Sequence, residues 1–170
     1  MITSVNHTSF TVSDLDRSIS FYRDLLGMEL ISLAGRDPAF VEKITGIPGA
    51  NVKVAYLQAP GHRLELIQYS SPPGKKLDLR TNNVGCAHLG FNVEDLPRMY
   101  AELKAKGVQF KSAPQEVPAG PNKGTLAVYF TDPDGIPLEF LQTAVIKTLR
   151  QNFGIFFTTA PSETLVIPVN

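Results

Sequence analysis

The chain repeats one order of secondary structure twice, and this duplication restricts its fold more than any other feature. Alternating polar and apolar residues over Val5–Val12 predict a strand, and a helix, another strand and a hairpin follow it. The same order returns after residue 85. A repeat of this kind indicates two copies of one structural unit. The sequence therefore predicts an α+β fold that is built from two βαβββ modules.

The helices of the two copies have matching boundaries. Ser13 is expected to cap the first helix, and Gly27 follows its last turn, just as Gly107 follows the second helix. Glycine takes up the left-handed conformation that ends a helix at little steric cost. These boundaries predict a first module over residues 1–70, a linker over 71–84, a second module over 85–142 and an extension over 143–170.

Two histidines and two glutamates occupy corresponding places in the two copies. His7 and His88 lie in the first strand of each module, and apolar residues follow at the third and fifth positions on the opposite strand face. Glu65 and Glu139 each lie between two large apolar residues in a strand. An ionised carboxylate in such a strand is costly unless it is paired or bound to a metal. The four residues are therefore predicted to bind one divalent metal ion, with Zn, Ni, Co, Mn and Fe left open.

Two further residues of metal-binding type have no counterpart in the other copy. His62 lies in a hairpin turn and is predicted to be solvated. Cys86 lies two residues before His88, and we expect a buried, inert thiol rather than a ligand. A single cysteine excludes an internal disulfide and fits a reducing compartment.

The overall composition points away from two classes of partner. Sixteen basic and sixteen acidic residues balance one another, so no strong electrostatic field favours nucleic acid or a membrane surface. The first residues lack the pattern of a secretory signal, and no apolar run approaches the ~18 residues of a membrane helix. The expectation from these features is a soluble cytoplasmic domain.

Two segments carry a resemblance to a known superfamily. The first is VSDLDRSISFY, from Val12 to Tyr22, with the helix end at Gly27, and the second is FTDPDG followed by the strand around Glu139. Over Val5 to Gln142 the chain resembles the vicinal oxygen chelate superfamily, which includes glyoxalase I, methylmalonyl-CoA epimerase, fosfomycin and bleomycin resistance proteins, and extradiol dioxygenases. The resemblance implies an incomplete barrel with the metal inside its cup, and it does not indicate which activity is present.

The ligand set favours one kind of chemistry. Four protein ligands leave an octahedral ion two adjacent positions, which suit two vicinal oxygens of a small-molecule substrate. A carbonyl bound there is polarised, so the proton on the neighbouring carbon becomes removable. This predicts an isomerase or lyase. The resemblance to glyoxalase I implies that Glu139 is the catalytic base, with Glu65 as a second catalytic carboxylate. Methylmalonyl-CoA epimerase has glutamine at the position of Glu65.

Two other functions stay open. One is an Fe(II)-dependent dioxygenase, although extradiol enzymes use two histidines and one glutamate, so the second carboxylate argues against this chemistry. The other is a non-catalytic protein that binds or sequesters a small molecule. Bleomycin-binding members lack the metal residues, which separates them from this chain.

Several segments outside the four residues are expected to contribute to the substrate site or to assembly. The apolar insertion Asp37–Asn51 is expected to line or cover a pocket, and the loop Ala113–Gly124 is expected to form its rim. Arg17 and Arg36 are candidates for substrate recognition. In the extension, Phe153–Phe157 holds four large apolar residues, whose exposure to water would be unfavourable. A homodimer with this tail at its interface is therefore predicted.

Overall fold

The computed structural model describes residues 1–144, so the predictions for Phe153–Phe157 lie outside the described residues. The strands are β1 Thr8–Thr11, β2 Glu29–Gly35, β3 Asn51–Ala59, β4 His62–Ser71, β5 Leu89–Asn92, β6 Gln109–Phe110, β7 Gln115–Glu116, β8 Leu126–Thr131 and β9 Pro137–Gln142. The α-helices are α1 Leu15–Ser20, α2 Pro38–Thr45 and α3 Leu96–Ala105, and α1 continues into a π-helical turn over Phe21–Leu25. Among these helices, none has the length and apolar character that crossing a membrane requires.

The strands form two sheets of matching topology. The first has the order β1-β4-β3-β2, and the second has the order β5-β9-β8-β6 with the short β7 also paired to β8. In each sheet the first strand of the module runs parallel to the last one, and the other neighbours are antiparallel. The predicted α+β fold with two βαβββ modules is confirmed. Within residues 1–144 the two sheets share no strand pairing, and no barrel closes.

The first helix begins one residue later than the predicted Ser13 cap implies. Asp14, rather than Ser13, caps α1, because its carboxylate accepts the backbone N–H of Arg17 at 3.0 Å. Asp95 caps α3 in the same way through the N–H of Arg98. The prediction of a Ser13 cap was wrong, and the hydroxyl of Ser13 has a different role between the modules.

A glutamine on the last strand of each module fixes the start of the helix. The Gln68 side chain accepts the N–H of Leu15 at 2.9 Å, and the Gln142 side chain accepts the N–H of Leu96 at 2.8 Å. Each satisfies one of the N–H groups that a helix leaves unpaired at its first turn. Because each glutamine lies three residues after Glu65 or Glu139, the helix and the glutamate project from opposite faces of the sheet.

One hydrophobic core spans both modules on the helix side of the sheets. Tyr22 and Leu66 from the first module and Phe130 and Phe140 from the second are almost completely buried in it. The rings of Phe130 and Phe140 stack with their centroids 4.1 Å apart. The opposite faces of the sheets are more exposed, and they carry the polar residues of the candidate site.

The insertion between β2 and β3 packs on the polar face of the first sheet. Val41 of α2 lies against Val52 and Val54 of β3, in a second, smaller apolar cluster that Tyr56 and Ile67 also contact. Alternation along β3 and β4 places Val54, Tyr56 and Ile67 on the face of Glu65. The insertion therefore forms a wall beside the predicted metal residues.

Candidate metal-binding site

The first histidine and the first glutamate lie side by side. The Nε2 atom of His7 is 3.4 Å from Oε2 of Glu65. The parallel pairing of β1 with β4, in which Ser9 lies opposite Glu65, places both side chains on one face. The Glu65 side chain is 12% exposed, and that of His7 is 33% exposed, so the pair opens to solvent through the imidazole.

The second module repeats this arrangement. The Nε2 atom of His88 is 3.3 Å from Oε2 of Glu139, and Gly90 occupies the position opposite the carboxylate. A Cβ atom at Gly90 would lie 3.8 Å from Oε2 of Glu139 and 3.3 Å from Cδ1 of Leu141. The glycine therefore avoids a tight contact with the Leu141 side chain, whereas a Cβ there would make only an ordinary contact with the carboxylate.

A tyrosine accompanies each pair, and sequence reasoning missed both. Tyr56 lies directly opposite Glu65, and Tyr129 lies directly opposite Glu139. The Tyr56 ring packs edge-on against His7 at 6.0 Å between centroids, and Tyr129 packs against His88 at 5.1 Å. The signal in the sequence is a tyrosine in the strand before each glutamate strand.

The two tyrosine hydroxyls have different partners. The Tyr56 hydroxyl donates a hydrogen bond to Glu65, which together with burial raises the pKa of the phenol. The Tyr129 hydroxyl lies 3.3 Å from Nε2 of His88. Burial and the charge of Glu139 raise the pKa of Tyr129, so this phenol also stays protonated at neutral pH.

The orientation of His7 shows why its pair suits a cation. Its Nδ1 is 2.8 Å from the amide oxygen of Asn6, which can only accept, so Nδ1 carries the proton. In the neutral ring, Nε2 then directs its lone pair toward Glu65. Two acceptor atoms that face each other at 3.4 Å are stabilised by a proton or a metal ion between them.

The donor spacing fits a metal as well as the donor types do. Two ligand atoms at ~2.1 Å from one ion, separated by roughly 90–110° at the ion, lie ~3.0–3.4 Å from each other. The two nitrogen–oxygen distances of 3.4 and 3.3 Å agree with this spacing. Each pair therefore has the composition and the geometry of half of a four-ligand site.

The two pairs do not form one cluster within residues 1–144. No group of three or more His, Cys, Asp or Glu side chains that could hold a metal ion occurs in this part of the chain. His7 is brought to Glu65, and His88 is brought to Glu139, each within its own module. The convergence of all four on one ion stays a prediction.

The other residues singled out from the sequence lie elsewhere. His62 is half-buried, and its Nε2 is 2.9 Å from the hydroxyl of Thr8, so the prediction of a solvated side chain was wrong. The Cys86 thiol is half-buried and donates to the carbonyl of Leu79 in the linker. Arg17 forms an ion pair with Asp134 at 2.7 Å between the modules, which occupies the guanidinium away from both pairs.

Arg36 lies next to the first pair, as its candidacy for substrate recognition requires. Its guanidinium carbon is 5.8 Å from the centroid of the Tyr56 ring, and the guanidinium of Arg63 approaches the same ring at 5.8 Å. A hydrogen bond between Arg36 and Tyr56 opposes the rise in the phenol pKa. Both arginines thus lie on the polar face of the first sheet.

Two βαβββ modules, each with a histidine and a glutamate on the open face of its sheet, define the structural class of the vicinal oxygen chelate proteins. The sequence model of the Glyoxalase/Bleomycin resistance protein/Dioxygenase superfamily matches residues 4–140. The chain belongs to this superfamily.

Relatives of the chain include enzymes with different reactions. It is 31% identical to 2-epi-5-epi-valiolone epimerase from Actinomyces sp., over 81% of this chain and 78% of the relative. It is 31% identical to the metallothiol transferase FosB of Staphylococcus epidermidis, over 86% and 85% of the two chains. It is 28% identical to lactoylglutathione lyase of Haemophilus influenzae, over 84% and 94%. These names support an enzyme of the superfamily without selecting one reaction.

Solved structures agree with the fold. A crystal structure of a glyoxalase family protein from Bacillus cereus superposes with a TM-score of 0.72 at 26% identity, and the match covers 84% of this chain and 95% of that one. The two-sheet arrangement described above is therefore that of a glyoxalase family protein.

Proposed function

We propose that this protein is a metal-dependent lyase or isomerase, which removes the proton next to a carbonyl of a small molecule with two neighbouring oxygens. His7 and Glu65 of one protomer and His88 and Glu139 of a second copy would hold the metal ion, so that a homodimer has two such sites. The observation that carries the proposal is the pair of matched contacts, at 3.4 and 3.3 Å between imidazole nitrogen and carboxylate oxygen.

The edges of the sheets support a site between two copies. Within the described residues, β1 and β5 each pair on one side only. Such an edge presents unpaired backbone N–H and C=O groups, which another strand can satisfy. Ile2 and Val5, just before β1, are 95% and 78% exposed. Placing β1 of one copy beside β5 of the other would bring a first pair and a second pair together, and twofold symmetry repeats the contact.

The surroundings of the two glutamates favour different roles. Tyr56 donates to Glu65 and thereby restrains that carboxylate. The corresponding Tyr129 hydroxyl lies 3.3 Å from Nε2 of His88 instead of contacting Glu139, and the same nitrogen is 3.3 Å from the carboxylate. Glu139 is therefore the carboxylate that can rotate toward a substrate carbon, and it is the proposed base.

The remaining chemistry is divided between the metal and Tyr129. A divalent ion at this site would polarise the carbonyl and stabilise the negative charge that develops on its oxygen. The Tyr129 hydroxyl, 3.3 Å from Nε2 of His88, would donate to a substrate oxygen at this site. The wall formed by α2 would exclude water from one side of the first pair.

Mixed dimers test where the four ligands come from. One double variant carries His7→Ala and Glu65→Ala, and the other carries His88→Ala and Glu139→Ala, with a different affinity tag on each. A heterodimer of the two has one complete site and one site with no ligands. It should bind one ion, the wild-type dimer should bind two, and neither variant homodimer should bind metal at a comparable affinity.

The controls are a dimer of two differently tagged wild-type chains, which should bind two ions, and circular dichroism of both variants to show that they fold. Failure of the heterodimer to bind metal, with two ions in the tagged wild-type dimer, would exclude a site shared between copies. A wild-type protein that binds no Zn, Ni, Co, Mn or Fe would overturn the metal-dependent function itself.

A substrate screen separates the reaction types. Metal-loaded protein in D₂O should exchange the proton next to the carbonyl of a hemithioacetal or an acyl-CoA epimer. Consumption of O₂ with catechols would instead indicate a dioxygenase. Tight binding of these compounds without exchange or turnover would indicate a binding protein.

A further inference from the structure

A cavity lies between the linker and the second sheet. Its volume is about 620 Å³, residues 76–82 of the linker form one wall, and Lys111, Tyr129 and Thr131 contribute to the other. Small-molecule sites typically measure roughly 300–1,000 Å³. Because Tyr129 also contacts His88, the cavity begins beside the second histidine–glutamate pair.

The charges around the cavity are unbalanced. Asp78 forms an ion pair with Arg80 at 2.7 Å, and Asp134 forms one with Arg17 at 2.7 Å. The two acidic residues of the lining are therefore compensated. Lys76 and Lys111 line the cavity from opposite walls, and neither forms an ion pair with any residue of the described part of the chain.

Lys111 has a fixed position relative to the candidate metal pair. Its N–H donates to the carbonyl of Tyr129 at 2.9 Å, which extends the pairing of β6 with β8 by one residue. Lys111, Tyr129 and Glu139 thus follow one another across the sheet. In the first sheet the residue beside Tyr56 is Ser32, so the two modules differ in charge at this position.

We infer that this cavity is an anion subsite, in which Lys111 and Lys76 hold a carboxylate or phosphate group of the substrate. Both groups accept charge-assisted hydrogen bonds from lysine ammonium groups. Because the cavity begins beside the second pair, the subsite places the anionic end of the substrate on the Glu139 side, whereas Arg36 and Arg63 are the cations beside the first pair. The substrate orientation rests on the proposed function, whereas anion binding by the cavity does not.

Binding of two anions to the metal-free, full-length protein tests the inference. Inorganic phosphate and succinate serve as probes at low ionic strength, because salt screens exposed charges. Amide resonances of Lys111, Tyr129 and Thr131 should shift on titration in two-dimensional NMR spectra. Lys111→Met and Lys76→Met should each weaken binding about tenfold. Lys106→Met, at the end of α3 and outside the lining, removes the same charge and should leave the affinity unchanged.

The anion titrations test the subsite, and a separate measurement of metal affinity tests the proposed function. Tighter binding of phosphate or of succinate identifies the preferred anionic group and supports the subsite. Shifts confined to other regions, or equal affinities in wild type, Lys111→Met and Lys76→Met, would overturn it. Metal affinity is measured on the same variants by competition with a chelating dye. If the wild-type protein binds the anions but binds no metal ion, the proposed function is rejected and the anion subsite is not.

Discussion

The hydroxyl of Tyr22, in the first module, donates a hydrogen bond of 3.2 Å to the carboxylate of Asp132 in the second. The other oxygen of Asp132 accepts the backbone N–H groups of Asp134 and Ile136 at 2.9 and 2.8 Å. Asp132 is 4% exposed, and burial raises its pKa. One buried carboxylate therefore fixes the turn before the Glu139 strand and connects that turn to the first module.

Replacing Asp132 by asparagine should make the stability less dependent on pH. Burial raises the pKa of Asp132, so between ~3.9 and the raised value the folded protein binds more protons than the unfolded one. Its contribution to the free energy of unfolding therefore decreases as pH rises through this window. Asparagine does not titrate, and this decrease should disappear. Urea unfolding of both proteins from about pH 4 to 7 measures the difference.

Asp132→Ala is the structural counterpart of that experiment. It leaves two backbone N–H groups and the Tyr22 hydroxyl without their acceptor, and should cost roughly 2–4 kcal/mol at every pH tested. Equal pH profiles for wild type and Asp132→Asn would show that Asp132 has an ordinary pKa.

Asn6 should control the metal affinity of the first pair. Its amide oxygen accepts from Nδ1 of His7 and directs Nε2 toward Glu65. Removing such a partner of a ligating histidine typically weakens metal binding by roughly 10–100-fold. Asn6→Ala should show this loss in a chelator competition titration, and Asn6→Asp, which keeps an acceptor, should restore the affinity. Unchanged affinity in Asn6→Ala would mean that the imidazole needs no such support.

The two tyrosines should respond differently to loss of the hydroxyl. Tyr56→Phe removes the donor that restrains Glu65, and the metal affinity should fall by roughly 10–100-fold. Tyr129→Phe removes a group that competes for Nε2 of His88, so the affinity should stay the same or increase. The paired titrations measure this contrast. An equal loss in both variants would contradict the different roles of the hydroxyls.

Amide substitutions at the two glutamates distinguish the role of metal ligand from the role of catalytic base. Glu139→Gln should retain much of the metal and lose turnover by a factor on the order of 10²–10⁴. Glu65→Gln should have the milder effect on turnover, because methylmalonyl-CoA epimerase has an amide at this position. Metal content and rate of α-proton exchange are measured on the same preparations. Parallel losses of metal and rate in both variants would argue against a separate base.

The sequence was sufficient for the order of the main elements, and it named four candidate metal ligands, whose convergence on one ion stays a prediction. Alternation along a strand is a local property, so the faces of His7 and Glu65 could be assigned before the structure was known. The helix ends could be predicted too, because glycine is favoured where φ is positive, as at Gly27 (75°) and Gly107 (89°). The duplication then gave each of these features a second occurrence.

Only the tertiary structure decided which side chains meet. The partners of Ser13 and Tyr22 lie more than a hundred positions away along the chain, and no local pattern encodes such a contact. Strand register determined that Tyr56 and Tyr129 lie opposite the two glutamates, since a shift of one residue would turn both tyrosines to the other face. Within residues 1–144, the helices pack into one core that holds the modules together through their buried faces. Each histidine contacts the glutamate of its own module.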